Sequence, residues 1–359
     1  MSSRLKAIPC VLMRGGTSKG PYFLGQDLPA DREAIGSVLL AVMGSPDLQQ
    51  IDGIGGATTL TSKVAIVSPS HHPDAQVDYL FAQVSINQAF VDFGPSCGNI
   101  LSGVGPFAIE QGLVSPEKGT TTVRIHNVNT GALIDAVVQT ENGEVTYTGD
   151  TAIDGVPGTA APILCRYKNI AGSKTGALLP TGNVIDHIDG VDTTLIDVST
   201  PMMMLRAADL GISGQESKSE IDANQALFER VESLRLEAGK RMGLGDVSGS
   251  VLPKVSLLSP PENGGNITSR YLVPHNCHAA HAVTGGLCVA SCSVLKDSVA
   301  DGIARVSYSG TENIAIEHPS GQFNVELSTS GQGTDMQVDY GGVMRTARKL
   351  FRGEVYIPE

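Results

Sequence analysis

The chain has 359 residues, 41% of them apolar, with 25 Lys+Arg against 37 Asp+Glu and a net charge of −12. That length predicts about two domains, and the composition excludes a disordered polyelectrolyte, a disulfide-stapled miniprotein and a broad basic surface for nucleic acid or anionic lipid. Any anionic ligand must be caught by a local positive pocket, and 42 glycines with no Trp predict close backbone packing and many special turns.

In chain order, the apolar run 8–13 is ended by Arg14, too short for a signal-peptide core. Arg14-Gly15-Gly16-Thr17-Ser18-Lys19-Gly20 follows a strand and mixes two cations, two hydroxyls and three glycines, the make-up of an anion-gripping loop or of a glycine turn with solvated charges. It is not a P-loop, because Lys19 precedes Gly20 instead of following the glycine. Residues 31–43 are apolar at Ile35, Val38, Leu39, Val42 and Met43 and stop at Gly44, which predicts an amphipathic helix.

Lys63, beside Ser62, opens the apolar strand 62–68 just after Gly53-Ile54-Gly55-Gly56. A lysine there either reaches solvent from a strand end or, once desolvated, becomes a usable base. Cys97 heads an apolar, small-residue helix predicted over 100–113, with Gly98 and Asn99 leaving the backbone amides open. A helix N-terminus stabilises a thiolate or a bound carboxylate. The alternative, a small buried hydrophobe, fits Cys10, Cys165, Cys288 and Cys292.

The same features recur later in the same order. A helix over 221–242 stops at Gly243, Lys254 opens a strand, and Cys277 precedes a helix over 279–295; the strand–turn–strand unit 123–131 returns at 314–321. This predicts an α+β fold of two pseudo-repeated halves, 1–181 and 182–359, each a barrel-like sheet round a buried helix. The last strand is free to return to the first half, and both cysteine-led helix ends would face one cleft. Arg270 could bind a carboxylate bidentately or form a surface pair. His318 and Ser320 lie in a tight turn. His278 and His281, and His71 with His72, lack the further ligands of a zinc site, so no metal is predicted. The absence of CxxC and of a membrane-like apolar run predicts reduced thiols and a cytoplasmic location.

Residues 12–20, 52–56, 61–67, 97–100 and 317–321 together resemble the motifs of the 2-methylaconitate cis-trans isomerase family, which has the diaminopimelate epimerase fold. The resemblance spans essentially the whole chain. It implies two stacked halves, proton movement on a small unsaturated tricarboxylate without a cofactor, and Lys63 and Cys97 as the proton-transfer pair. Segments 79–84, 178–183 and 274–278 are most similar to members acting in aromatic-acid breakdown; an aconitate- or itaconate-type isomerase is the near alternative, and a non-catalytic polycarboxylate-binding protein the distant one. On this reading the substrate is held by Arg14, Thr17, Ser18, Lys19, Ser62, Gly98, Asn99, Arg270, Cys277, His278, His318 and Ser320. In diaminopimelate epimerase each half gives a cysteine, which keeps Cys277 open as a second thiol. No nucleic-acid or membrane partner is expected, and a homodimer is allowed.

Overall fold

Capping chemistry and hydrophobic alternation set the elements of the computed structural model, which describes residues 5–273, 275–308 and 310–358. Strands β1 (Leu5–Gly15) and β2 (Ser18–Leu24) form a hairpin, followed by α1 (Arg32–Met43). That helix starts where Asp31 Oδ2 accepts from Ala34 N at 3.0 Å and ends at Gly44, whose φ of 72° suits glycine. Next come β3 (Lys63–Pro69), β4 (Val77–Val84), β5 (Val91–Asp92), α2 (Gly98–Leu101), α3 (Val104–Glu110), β6 (Gly119–Asn127), β7 (Leu133–Thr140) and β8 (Ile163–Lys168). The chain continues through β9 (Asp186–Ile188), β10 (Val191–Asp197), β11 (Pro201–Arg206), α4 (Lys218–Ala223), α5 (Gln225–Arg241), β12 (Lys254–Ser259), β13 (Ile267–Leu272) and α6 (Val283–Val294). It closes with β14 (Gly310–His318), β15 (Gly321–Ser330), β16 (Gln337–Arg345) and β17 (Ala347–Pro358). None of the described helices is long and apolar enough to cross a membrane.

Two compact units result, Met1–Tyr167 with Met344–Glu359, and Lys168–Val343. The first therefore ends short of the turn at 179–183 and regains the last strand. Within it β1 pairs antiparallel with β2, β2 parallel with β3, β3 antiparallel with β4, β4 parallel with β6, and β6 antiparallel with β7. On the other edge of β1 lies β17, antiparallel from Leu5↔Pro358 to Gly15↔Ala347. Alternation along β3 divides two cores: Val64 and Ile66 pack with Ile35, Leu39, Val42 and Met43 of α1, whereas Ala65 and Val67 pack with Ile100, Val104 and Phe107 of α2 and α3. Lys63 has the parity of Ala65, which aims it at the α2 side.

In the second unit β10 pairs antiparallel with β11, β11 parallel with β12, β12 antiparallel with β13, β13 parallel with β14, and β14 antiparallel with β15. Gly285 to Val294 of α6 are all buried, as befits a helix apolar on every face. Both units are α+β.

Three helix expectations need correction. The helix expected over 221–242 is broken at Asn224, where the chain leaves helical geometry and the side chain accepts from Leu227 N at 3.1 Å to start α5. The one expected over 100–113 is split where Ser102 Oγ turns back to Asn99 O at 2.7 Å and Gly103 caps α3. Cys277 does not head α6: its N–H is taken by Asp222 Oδ1 at 2.7 Å, the residue bridges Leu272, and the helix begins only at Val283.

Candidate active site

The β1–β2 hairpin turns in two residues, Gly16 and Thr17, with Gly15 opposite Ser18. Gly16 has a φ of 51°, and a Cβ there would come within 2.1 Å of Asn99 Oδ1. The same Asn99 oxygen accepts from Thr17 N at 3.3 Å, so the turn is docked on the start of α2. Gly20 lets the next strand approach: a Cβ on it would stand 1.8 Å from Lys63 O. Gly20→Ala is therefore expected to cost roughly 1–3 kcal/mol, read as a lower urea midpoint at unchanged m-value. A wild-type midpoint would mean that β2 and β3 do not lie this close.

These packings bring an amine and a thiol together. Lys63 Nζ donates to Cys97 Sγ at 3.6 Å and lies 5.2 Å from the centre of the Phe81 ring. Cys97 is the N-cap of α2 and is almost fully buried. Its carbonyl accepts from Tyr79 OH at 3.2 Å, while Tyr22 OH donates to Ile100 O. Burial, reinforced by the nearby thiol, pushes both phenols well above their ordinary range, so they serve as donors. Arg345 adds a positive charge that acts on Cys97, Cys165 and Tyr167, and its own basicity is lowered by burial. Neither Arg345 nor the two tyrosines had a local sequence signal; only the packing of distant strands on α2 brings them here.

The predicted residues divide into three groups. Thr17, Ser18, Gly98 and Asn99 gather with Lys63 and Cys97 through the docked turn; Ser18 shares the face of Gly15 and Gly20, and its hydroxyl is buried without a hydrogen-bond partner among the described residues. Ser62 is fully buried and occupied as a strut, accepting from Gln50 Nε2 at 2.8 Å and donating to Val84 O at 2.9 Å. Arg14 and Lys19 pair directly across β1 and β2 on the face opposite Gly15 and Ser18, and Arg14 braces the turn by donating to Gly16 O and Thr346 O at 2.8 and 2.9 Å.

The remaining candidates belong to the second unit. Arg270 donates through Nε to Glu216 O, and burial lowers its basicity. Cys277 donates to His278 O at 3.5 Å, and burial, with Asp222 beside it, pushes its pKa up to about 11. His278 Nδ1 accepts from Ala280 N at 3.0 Å, His318 Nδ1 accepts from Ser320 N at 3.2 Å, and Ser320 Oγ donates to Ala279 O at 2.7 Å. Lys254 Nζ sits 5.6 Å from the Tyr271 ring centre, and its basicity is lowered by burial. Pro274 lies outside the described residues.

Taken together, the α+β units and a lysine in contact with a cysteine at a helix start define a protein equipped for acid–base work on a small molecule. A model of the PrpF proteins matches residues 5–358. The chain belongs to the PrpF family. It is 52% identical to a 4-oxalomesaconate tautomerase of Pseudomonas putida over 98% of this chain and 96% of the relative. It superposes on a crystal structure of methylitaconate-delta-isomerase with a TM-score of 0.92 at 37% identity, covering 99% of this chain and 96% of the other. A hydroxyproline epimerase from Agrobacterium vitis shares the fold at a TM-score of 0.52 and 11% identity, over 100% and 95% of the two chains.

Proposed function

We propose that the chain is a cofactor-independent isomerase that moves a proton on a small unsaturated tricarboxylate, 4-oxalomesaconate, in aromatic-acid catabolism. The observation that carries this reading is the 3.6 Å contact of Lys63 Nζ with Cys97 Sγ in a chain 52% identical to a 4-oxalomesaconate tautomerase. A methylaconitate- or methylitaconate-type acid is the second reading, favoured by the likeness to methylitaconate-delta-isomerase.

Carboxylates of the substrate are held by Thr17, by the Ser18 hydroxyl and by the amides of Gly98 and Asn99. One of Lys63 and Cys97 takes the acidic proton next to the carbonyl, leaving a dienolate whose negative charge Arg345 and the helix-start amides stabilise. The other group returns a proton at oxygen or at the far allylic carbon, giving a keto/enol or a 1,3-allylic product. A positioned acid–base group contributes about 10² to 10⁴-fold. Cys277 is given no proton to abstract in this scheme, because burial favours its thiol form and it stands away from the start of α6.

The two units are read as repeats, supported by the shared succession of antiparallel and parallel pairings. A second support is that Phe81 and Tyr271 hold the same register position beside Lys63 and Lys254, opposite Ala65 and Ser256. Six buried free cysteines favour a reducing compartment, the cytoplasm.

Incubation with a panel of unsaturated di- and tricarboxylates in D₂O tests the proposal by proton NMR and ultraviolet absorbance. Deuterium is expected to enter 4-oxalomesaconate at its exchangeable allylic position. Saturable binding without exchange of any member of the panel would make the protein a polycarboxylate binder instead.

A further inference from the structure

A cavity of about 430 Å³ in the first unit is lined by Arg14, Arg348, Tyr147, Thr148 and Thr159 among others. Arg14 and Arg348 reach it from the end of the β1–β17 ladder, where they lie opposite each other; Lys19 lies opposite Arg14 on β2 but does not line the cavity. Three cations thus stand in register across three neighbouring strands, on the face away from Met13, Gly15 and Ala347, which pack on the core and on α2. Like charges directly opposite each other are destabilising, and in a chain of net charge −12 such a row is not a by-product of overall basicity.

Among the described residues none of the three cations pairs with a carboxylate. The nearest ion pair on β17 is Lys349 with Glu110 at 2.7 Å. Asp150 and Asp154, on the segment that walls the cavity, are exposed and do not line it. That wall is closed on itself by the reciprocal bonds of Thr151 and Ala160 at 3.1 and 3.0 Å, and its Gly155 packs against Thr17. Burial first, and then the proximity of Arg348, depress the basicity of Arg14.

We propose that this cavity is a carboxylate-binding site, in which Arg14 and Arg348 grip a small organic polyacid and the threonine hydroxyls of the wall complete its hydrogen bonds. Guanidinium groups suit this because each presents parallel N–H donors to a carboxylate. The bound group is either the far carboxylate of the acid reacting at Lys63 and Cys97, an arm that rests on the function proposed above, or that of a second, free molecule.

Calorimetric titration with tricarballylate, a saturated tricarboxylate that cannot isomerise, tests the site without requiring turnover. Arg348→Gln is expected to weaken its binding by roughly tenfold or more, whereas Arg352→Gln, which removes a charge from β17 outside the cavity, leaves affinity unchanged. Equal affinity in wild type and Arg348→Gln, equal losses in the two variants, or no binding to the wild type overturns the proposal. The source is then read from stoichiometry and kinetics. A single site, with KM for the reactive acid raised in Arg348→Gln, assigns the cavity to the substrate's own arm. Two sites in the wild type, of which one is lost in Arg348→Gln at unchanged KM, assign it to a free polyacid.

Discussion

Lys63→Met is expected to lower turnover by at least about a hundredfold while the protein remains folded. Methionine keeps an unbranched apolar stem beside Phe81 and leaves the backbone contact with Gly20 untouched, so what is lost is the amine that reaches Cys97. Because the amine acts on the proton in flight more than on the resting substrate, kcat and kcat/KM should fall together with little change in KM. Steady-state kinetics beside a thermal melt decides it. Wild-type kcat in a folded Lys63→Met protein would remove the lysine from the mechanism.

Cys97→Ser carries the second large effect, again at least about a hundredfold in kcat. Serine fills nearly the same space, and the bonds from Tyr79 and Leu101 go to the carbonyl of residue 97, which the substitution leaves in place. What changes is the ionisation chemistry, since a hydroxyl is a far weaker acid than a thiol. If only Lys63→Met loses activity, a single base carries the proton out and back. If both variants lose it, with exchange of solvent deuterium into substrate retained in one of them, the retained step names the group that performs it.

Much of this arrangement was legible locally. The helix over Asp31 to Gly44, the strand opened by Lys63 and the placing of Cys97 at a helix start each follow from a cap, an alternation or a glycine within a few residues. The 14–20 segment is legible as a glycine-rich turn carrying two cations and two hydroxyls, but its division between two faces is not. That follows from the register of β1 with β2 and β17, which puts Ser18 on one side and Arg14, Lys19 and Arg348 on the other. Register against a strand more than three hundred residues away leaves no local trace, and neither does the approach of Arg345, at the end of β16, to Tyr167 and Cys97. Around Cys277 the local reading went astray: a cysteine before a small, apolar run resembles Cys97, but the carboxylate of Asp222, far back in the chain, claims its N–H and keeps the segment out of the helix.

The return of β17 to the edge of β1 also bears on how the protein is made. Lys168 to Val343 are contiguous, so that unit has all of its chain before synthesis ends. The other waits for its final strand until the whole of Lys168–Val343 has been made, and meanwhile the free edge of β1 is a template for wrong partners. Arg14 gains its acceptor at Thr346 only after that unit is complete, so a nascent chain stalled before residue 344 would carry the Lys63–Cys97 pair without the strap that braces the turn beside it.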